Sequence, residues 1–159
     1  MIKVNIIALG KLKEKYLVSA CEEYSKRLKG YCNLEITEIE PVRLPDKPSQ
    51  SEIEKALLKE SQLINSKIPQ GSCVFAMCIE GKQLSSEELS VKIDSSCNRG
   101  QSIVFIIGSS YGLSDVIKER ADIKMSVSKM TFPHQLFRVM LLEQIYRGFK
   151  IREGSAYHK

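Results

Sequence analysis

The chain ends in Gly154-Ser-Ala-Tyr-His-Lys159, where a phenol, an imidazole and an ammonium follow one another. Chain ends ordinarily fray. This one gathers a ring that can stack, a group that titrates near neutrality and a cation, which together suit proton transfer or contact with an anion. A second segment, Ser126-Val-Ser-Lys-Met-Thr-Phe-Pro-His134, mixes hydroxyls, a cation, Met and Phe. It can offer backbone amides beside an apolar wall. A third, Gly108-Ser-Ser-Tyr-Gly112, follows the most apolar run of the chain. Glycine lets a ligand approach the backbone closely, and open α/β sheets bind ligands beyond the carboxyl ends of their strands. Taken singly, each segment also reads as an ordinary connection or a polar end.

Other chemistries lack their signatures. There is no G-x-G-x-x-G, no G-x-x-x-x-G-K-[ST] and no G-x-S-x-G. His134 and His158 are too far apart for ligand spacing, and the five cysteines (21, 32, 73, 78, 97) form no Cys-x-x-Cys. The expectation is no metal and five reduced, mostly buried thiols.

Ten elements must position the three segments. Residues 2–9 read as a buried strand and 13–28 as a helix, with apolar residues at three- and four-residue steps. Residues 33–40 alternate polar and apolar, as a strand near an edge does. The proline-rich stretch 41–50 is a loop and 51–68 a helix. Residues 72–79 form a central strand, and Glu80-Gly-Lys82 a turn. Ser85 and Glu88 form a capping box opening a helix that Gly100 ends. Strand 102–107 leads to a short helix capped by Ser114, and strand 122–127 to a final helix from Pro133 to about Lys150. Strands alternating with helices imply one α/β domain over 1–159, a mostly parallel sheet with helices on both faces.

Charge is uneven along the chain. Residues 124–159 hold seven Lys or Arg against two acids, and the first thirty hold seven against three, while the net charge is +5. Such ends can form a basic face for an anionic partner such as RNA, or simply a solvated surface. No run reaches the length of a membrane span and no secretory signal opens the chain, so a cytoplasmic protein is expected. The last helix is apolar around most of its girth, from Leu136 to Phe149. Either it runs through the core or it meets a partner subunit; few other elements remain to cover it, so a homodimer is expected.

The motifs Ile107-Gly108, Ser128-Lys-Met-Thr-Phe-Pro-His134, Arg138-Val139, Glu143-Gln-x-Tyr-Arg147 and Ala156-Tyr-His158 occur together. With Gly10-Lys-Leu-Lys13 and Ile79-Glu-Gly-Lys82 they extend over the whole chain, which resembles the pseudouridine-N3 methyltransferases of large-subunit ribosomal RNA in the SPOUT (α/β-knot) superfamily. The resemblance implies a C-terminal trefoil knot, a homodimer, S-adenosylmethionine as methyl donor and no metal. It places donor contacts at Met77, Gly108 and the segment Val127, Ser128, Lys129, Met130, Thr131 and Phe132. It ties Arg147, Tyr157 and His158 to catalysis and RNA binding. His158 can accept the N3 proton and Arg147 can hold phosphate or offset charge on the base. Tyr157 can instead stack on the base. A side chain at position 108 is expected to fill the ligand's space with little loss of fold. Ser109 stands where the family usually has a second Gly, a change of little cost if φ there is negative. A small dimer with basic ends is expected to find its target on an assembled ribosome, where two contacts act together. A SPOUT enzyme for transfer RNA or another ribosomal site, and a non-catalytic ribosome-associated protein, are the alternatives.

Overall fold

The most apolar runs of the chain become neighbouring strands. The computed structural model describes Met1–Lys159. Its elements run β1 (Ile2–Leu9), α1 (Lys15–Leu28), β2 (Cys32–Ile39), α2 (Gln50–Lys67), β3 (Cys73–Gln83), α3 (Ser86–Asn98), β4 (Ile103–Ile107), α4 (Asp115–Arg120), β5 (Ile123–Ser126) and α5 (His134–Arg152). The five strands form one sheet in the order β2-β1-β4-β3-β5, and every pairing is parallel. All five residues of β4, in the middle, are buried. A strand covered on both faces must be apolar throughout, as Ile103–Ile107 is.

Helices cover both faces, as the alternation predicts. Val4, Ile6, Ala8, Phe75, Phe105 and Ile107 point to a core shared with α1, α3 and α5. Ile7, Leu9, Val74, Ala76, Val104 and Ile106 point to a second core under α2 and α4. Alternate residues of each strand serve opposite layers. Phe75 and Phe105 are paired across β3 and β4 and stack at 4.7 Å.

Local chemistry sets most boundaries. The Ser85 hydroxyl accepts the Glu88 N–H, and the Glu88 carboxylate accepts the Ser85 N–H. A second capping box, Ser49 with Glu52, starts α2 one residue earlier than its apolar pattern suggests. Ser114 caps α4 as expected, and Pro133 stands at the N-cap of α5 rather than inside it.

Three expectations change. Glu80-Gly81-Lys82 is not a turn: β3 runs through it to Gln83, with a register break against β5 between Met77 and Lys82. A Cβ on Gly81 would lie 2.6 Å from the Met125 backbone, so only glycine admits this approach. The apolar girth of α5 is also largely covered by its own chain. The helix packs against both α1 and α3, burying Phe137, Leu141, Leu142, Ile145 and Phe149. Gly148 brings α3 close enough for the Ser90 hydroxyl to donate to the Gly148 carbonyl at 2.8 Å. Leu136, Val139, Met140 and Tyr146 keep partial exposure, so less of α5 needs another cover than its sequence implies. All five cysteines are free, but only Cys21 and Cys32 are buried and the other three are half-buried. Burial pushes the Cys32 thiol up to about 12.

Candidate active site

The carboxyl ends of the strands form a floor. Ala8, Ile107, Met77 and Met125 stand in register across β1, β4, β3 and β5. The loops after β4 and β5 rise from this floor and face each other across a cavity of about 370 Å³. Met77, Gly108, Val127, Ser128, Met130, Thr131 and Phe132 all line it. Lys129 does not: the Met130 N–H donates to the Ser128 hydroxyl at 3.0 Å, and the Lys129 side chain lies exposed outside the cavity. The Ser126 hydroxyl donates to the Ser128 carbonyl, tightening the same loop.

Gly108 and Gly112 shape the opposite wall. A Cβ on Gly108 would stand 2.5 Å from the Gly112 carbonyl oxygen. The expectation that a side chain at 108 would merely occupy ligand space is therefore corrected, because it would first push the loop apart. Gly112 has φ +81°, a conformation that side chains disfavour. Ser109 does not, since no residue other than glycine has positive φ, so its replacement of a second Gly carries no backbone strain. Its hydroxyl donates to Glu60 at 3.5 Å, and the other Glu60 oxygen accepts the Val42 N–H at 3.2 Å. Glu60 is buried without a cationic partner, and burial raises its pKa.

The pattern of the sequence did not single out Lys118, and it showed Glu80 only as a letter of Ile79-Glu-Gly-Lys82. They form an ion pair at the cavity wall, where Lys118 holds the Glu80 carboxyl below its usual range. They come from β3 and α4, and neither lies in a segment whose composition suggests chemistry.

Arg147, Tyr157 and His158 come together at one place. The guanidinium donates twice to Glu143 Oε1, from Nε at 3.0 Å and Nη2 at 2.7 Å. Tyr157 donates its hydroxyl to the same oxygen at 3.2 Å, and its ring lies 4.7 Å from Arg147 Cζ. Tyr146 meets the Tyr157 ring edge-on at 5.1 Å. Burial and the Glu143 carboxylate raise the Tyr157 pKa, so the phenol stays protonated. His158 Nε2 lies 2.7 Å from Glu87 Oε1 and Nδ1 lies 3.4 Å from Arg147 Nη1. With Nε2–H donated to Glu87, Nδ1 is left as the acceptor. That contact lowers the Glu87 pKa. The tail is thus folded onto α5 and the start of α3. Glu143 organises this cluster; the sequence shows it only as a letter of a motif.

A second cavity, of about 500 Å³, separates the cluster from the loops. Glu143, Tyr24 and Ser86 line it on one side, and Met125 and Val127 are walls common to both cavities. The Ser86 hydroxyl donates to Gln144 at 2.6 Å, joining α3 to α5 at its rim.

A parallel α/β sheet with the loops after β4 and β5 converging over its carboxyl edge defines an α/β protein with its ligand crevice at that edge. The profile of a family described as predicted SPOUT methyltransferase matches residues 2–158. The chain belongs to that family. It is 54% identical over 157 residues to a protein of Clostridium beijerinckii named ribosomal RNA large subunit methyltransferase H, covering 98% of this chain and 99% of the relative. A protein of the same name from Clostridium acetobutylicum is 51% identical over the same shares. Solved structures share the fold. A methylase-family protein of Haemophilus influenzae superposes with a TM-score of 0.58 at 10% identity, over 98% of this chain and 70% of that one. The A. aeolicus TrmH/SpoU tRNA modifying enzyme gives 0.51 at 11%, over 96% and 77%. No helix is long and apolar enough to cross a membrane.

Proposed function

We propose that the protein transfers a methyl group from S-adenosylmethionine to N3 of a pseudouridine in large-subunit ribosomal RNA, on assembled ribosomes in the cytoplasm. Relatives about half identical over nearly the full chain carry that substrate class in their names. The observation that carries the reading is the arrangement of two adjoining cavities, the second lined by Glu143, which in turn holds Arg147 and Tyr157 beside His158.

The loop cavity fits the donor. Met77, Met130 and Phe132 supply apolar walls for a purine, and the closely approaching backbone of 108–112 and 126–132 supplies polar groups for its edges. The Glu80 carboxylate and Lys118 ammonium, paired at the wall, present both charges to a donor that itself carries both. S-adenosylmethionine supplies an electrophilic methyl group on a sulfonium. Convergence of the loops after β4 and β5 also suits the knot that the superfamily implies.

The second cavity is suited to the base. N3 of pseudouridine carries an acidic proton between two carbonyls, and it is nucleophilic once that proton leaves. Glu87 fixes the tautomer in which His158 Nδ1 is an acceptor, engaged by Arg147 at 3.4 Å and able to take the proton once the guanidinium turns to the base. Arg147, oriented by Glu143, offsets charge that develops on the base. One face of the Tyr157 ring is engaged by Arg147, which favours a role in orienting the guanidinium. A second copy of the chain would cover Val139 and Met140 at the cavity's open side, making the working unit a homodimer.

The test is methylation of ribosomal particles lacking the mark, with labelled donor and mass spectrometry of the RNA digest. The reading expects 3-methylpseudouridine in large-subunit RNA, far more from particles than from stripped RNA, and none in transfer RNA. Donor binding with label on transfer RNA only, or on no RNA, would overturn it.

A further inference from the structure

Folding redistributes the cations that the sequence counts. Between residues 124 and 159, Arg138 pairs with Glu38, Arg147 with Glu143, Lys150 with Glu153 and Arg152 with Asp94. Lys124, Lys129 and Lys159 keep no acidic partner. The basic C-terminal end is therefore mostly neutralised within the fold. The N-terminal end is not, for among its seven Lys and Arg only Arg27 is paired, with Glu23.

Three unpaired cations are concentrated in one connection. Lys11, Lys13 and Lys15 occupy the segment from Gly10 into the first turn of α1, all exposed, with Glu14 the single acid among them. The local chemistry runs against helix stability. α1 has no side-chain cap and no acidic residue in its first turn, and Lys15 places a cation at the positive end of the helix dipole. Tyr16 follows with 70% exposure. A large ring left in water beside three lysines contributes little to folding, and such departures from local consistency concentrate at functional places.

Tertiary contacts hold this segment against the candidate active site. Arg138, buried in α5, donates to the Gly10 carbonyl at 3.1 Å. The Lys13 N–H donates to the Gln135 side chain at 2.7 Å. Gln135 stands in the first turn of α5, immediately after the loop that walls the cavity. That loop carries the exposed Lys129 and Met130, the latter 75% exposed. β1 lies directly beside β4, so the end of β1 and the Gly108 loop share one edge of the sheet.

We propose that Lys11, Lys13, Lys15 and Lys129 form the surface that docks the sugar-phosphate backbone of the RNA substrate, with Tyr16 as a stacking platform for an unpaired base beside the target. Spaced ammonium groups around an exposed aromatic ring fit a flexible polyanion that has flat apolar faces, as an RNA loop does. The cavity-lining loop places that polyanion at the site of chemistry. The inference rests on the ribosomal RNA methyltransferase reading.

The test uses the full chain, comparing wild type with a Lys11→Gln/Lys13→Gln/Lys15→Gln variant and with Tyr16→Ala. Binding to ribosomal particles is measured across a salt series, with steady-state methylation, donor calorimetry and sedimentation alongside. The triple variant should keep its donor affinity, sedimentation and kcat. Its KM for particles should rise about tenfold or more, and the slope of log affinity against log salt should become shallower by about 2 to 3. Tyr16→Ala should weaken particle binding about tenfold with the slope unchanged, because stacking releases no counterions. An unchanged KM and slope in the triple variant would overturn the proposal, as would altered sedimentation, which would assign the segment to a subunit contact. Failure of wild type to methylate particles would instead overturn the functional reading beneath it.

Discussion

Replacing Gly108 by alanine adds one methyl group at the wall of the loop cavity. That methyl carbon would stand 2.5 Å from the Gly112 carbonyl oxygen and 2.6 Å from its carbon. Ordinary contact begins at 3.4 Å, so the loop must open by about 0.9 Å. The obstacle is backbone, with no rotamer to turn away, and the 2.9 Å bond from the Gly112 N–H to the Ser109 carbonyl resists the movement. Overpacking of this kind costs about 1–3 kcal/mol. For a chain of this size that lowers Tm by roughly 2–12 °C. The backbone groups that would face the donor shift with the loop, so its Kd should rise at least tenfold, about 1.4 kcal/mol. Gly30→Ala is the matched control, because a Cβ there meets nothing within 4 Å and φ is not positive. Thermal unfolding and titration calorimetry on the two variants and wild type read both effects. A lowered Tm with unchanged donor affinity would refute the assignment of this loop to the donor. If neither quantity moved, the steric reasoning itself would be wrong.

Glu143→Gln removes the carboxylate that orients Arg147 and Tyr157; kcat should fall about 10–100-fold with donor affinity intact, while the half-buried pair costs stability only about 1 kcal/mol. Deleting Ala156–Lys159 should likewise stop turnover and spare donor binding, and a normal rate would remove the tail from the mechanism. Wild type should sediment as a dimer at micromolar concentration, and Met140→Glu should dissociate or unfold it, since covering an unpaired charge is strongly unfavourable; a wild-type monomer would end the dimer reading. Glu60→Gln tests the buried carboxyl behind Ser109. The folded-state pKa of Glu60 is raised, so its neutral form favours the fold at low pH and that contribution is lost as pH rises through the folded value. The Gln variant should therefore be more stable than wild type at neutral pH, with the difference vanishing below about pH 4.5; equal stability at every pH would show that the carboxyl ionises without cost.

Much of the architecture is written in short-range pattern. Alternation along 33–40, unbroken apolar runs at 2–9 and 102–107, and the Ser85–Glu88 and Ser114 caps each depend on residues within a turn or two of one another. Periodicity alone carries that information, and it yielded ten elements in the right order with boundaries off by one or two residues, save the end of β3, which runs four residues further. The failures share one cause. Gly81 reads as a turn residue until the Met125 backbone, forty-four positions away, is seen lying against it. The girth of α5 overstates how much of it a second subunit must cover until α1 and α3 are seen on either side.

The candidate site divides in the same way. Motifs already marked Gly108, the 127–132 loop, Arg147, Tyr157 and His158 as a set, because their joint spacing matches a family. Folding alone decided that Lys129 points out of the cavity, that Glu87 and Glu143 hold the tail cluster, and that Glu80 and Lys118 stand at the cavity wall. It also decided which lysines keep their charge unpaired. Residue type and neighbours in sequence govern local conformation, whereas the partner of a charge is whichever group the sheet order and helix packing bring within a few ångströms. Arg138 meets Glu38 across a hundred residues of chain, and no pattern along the chain records that distance in space.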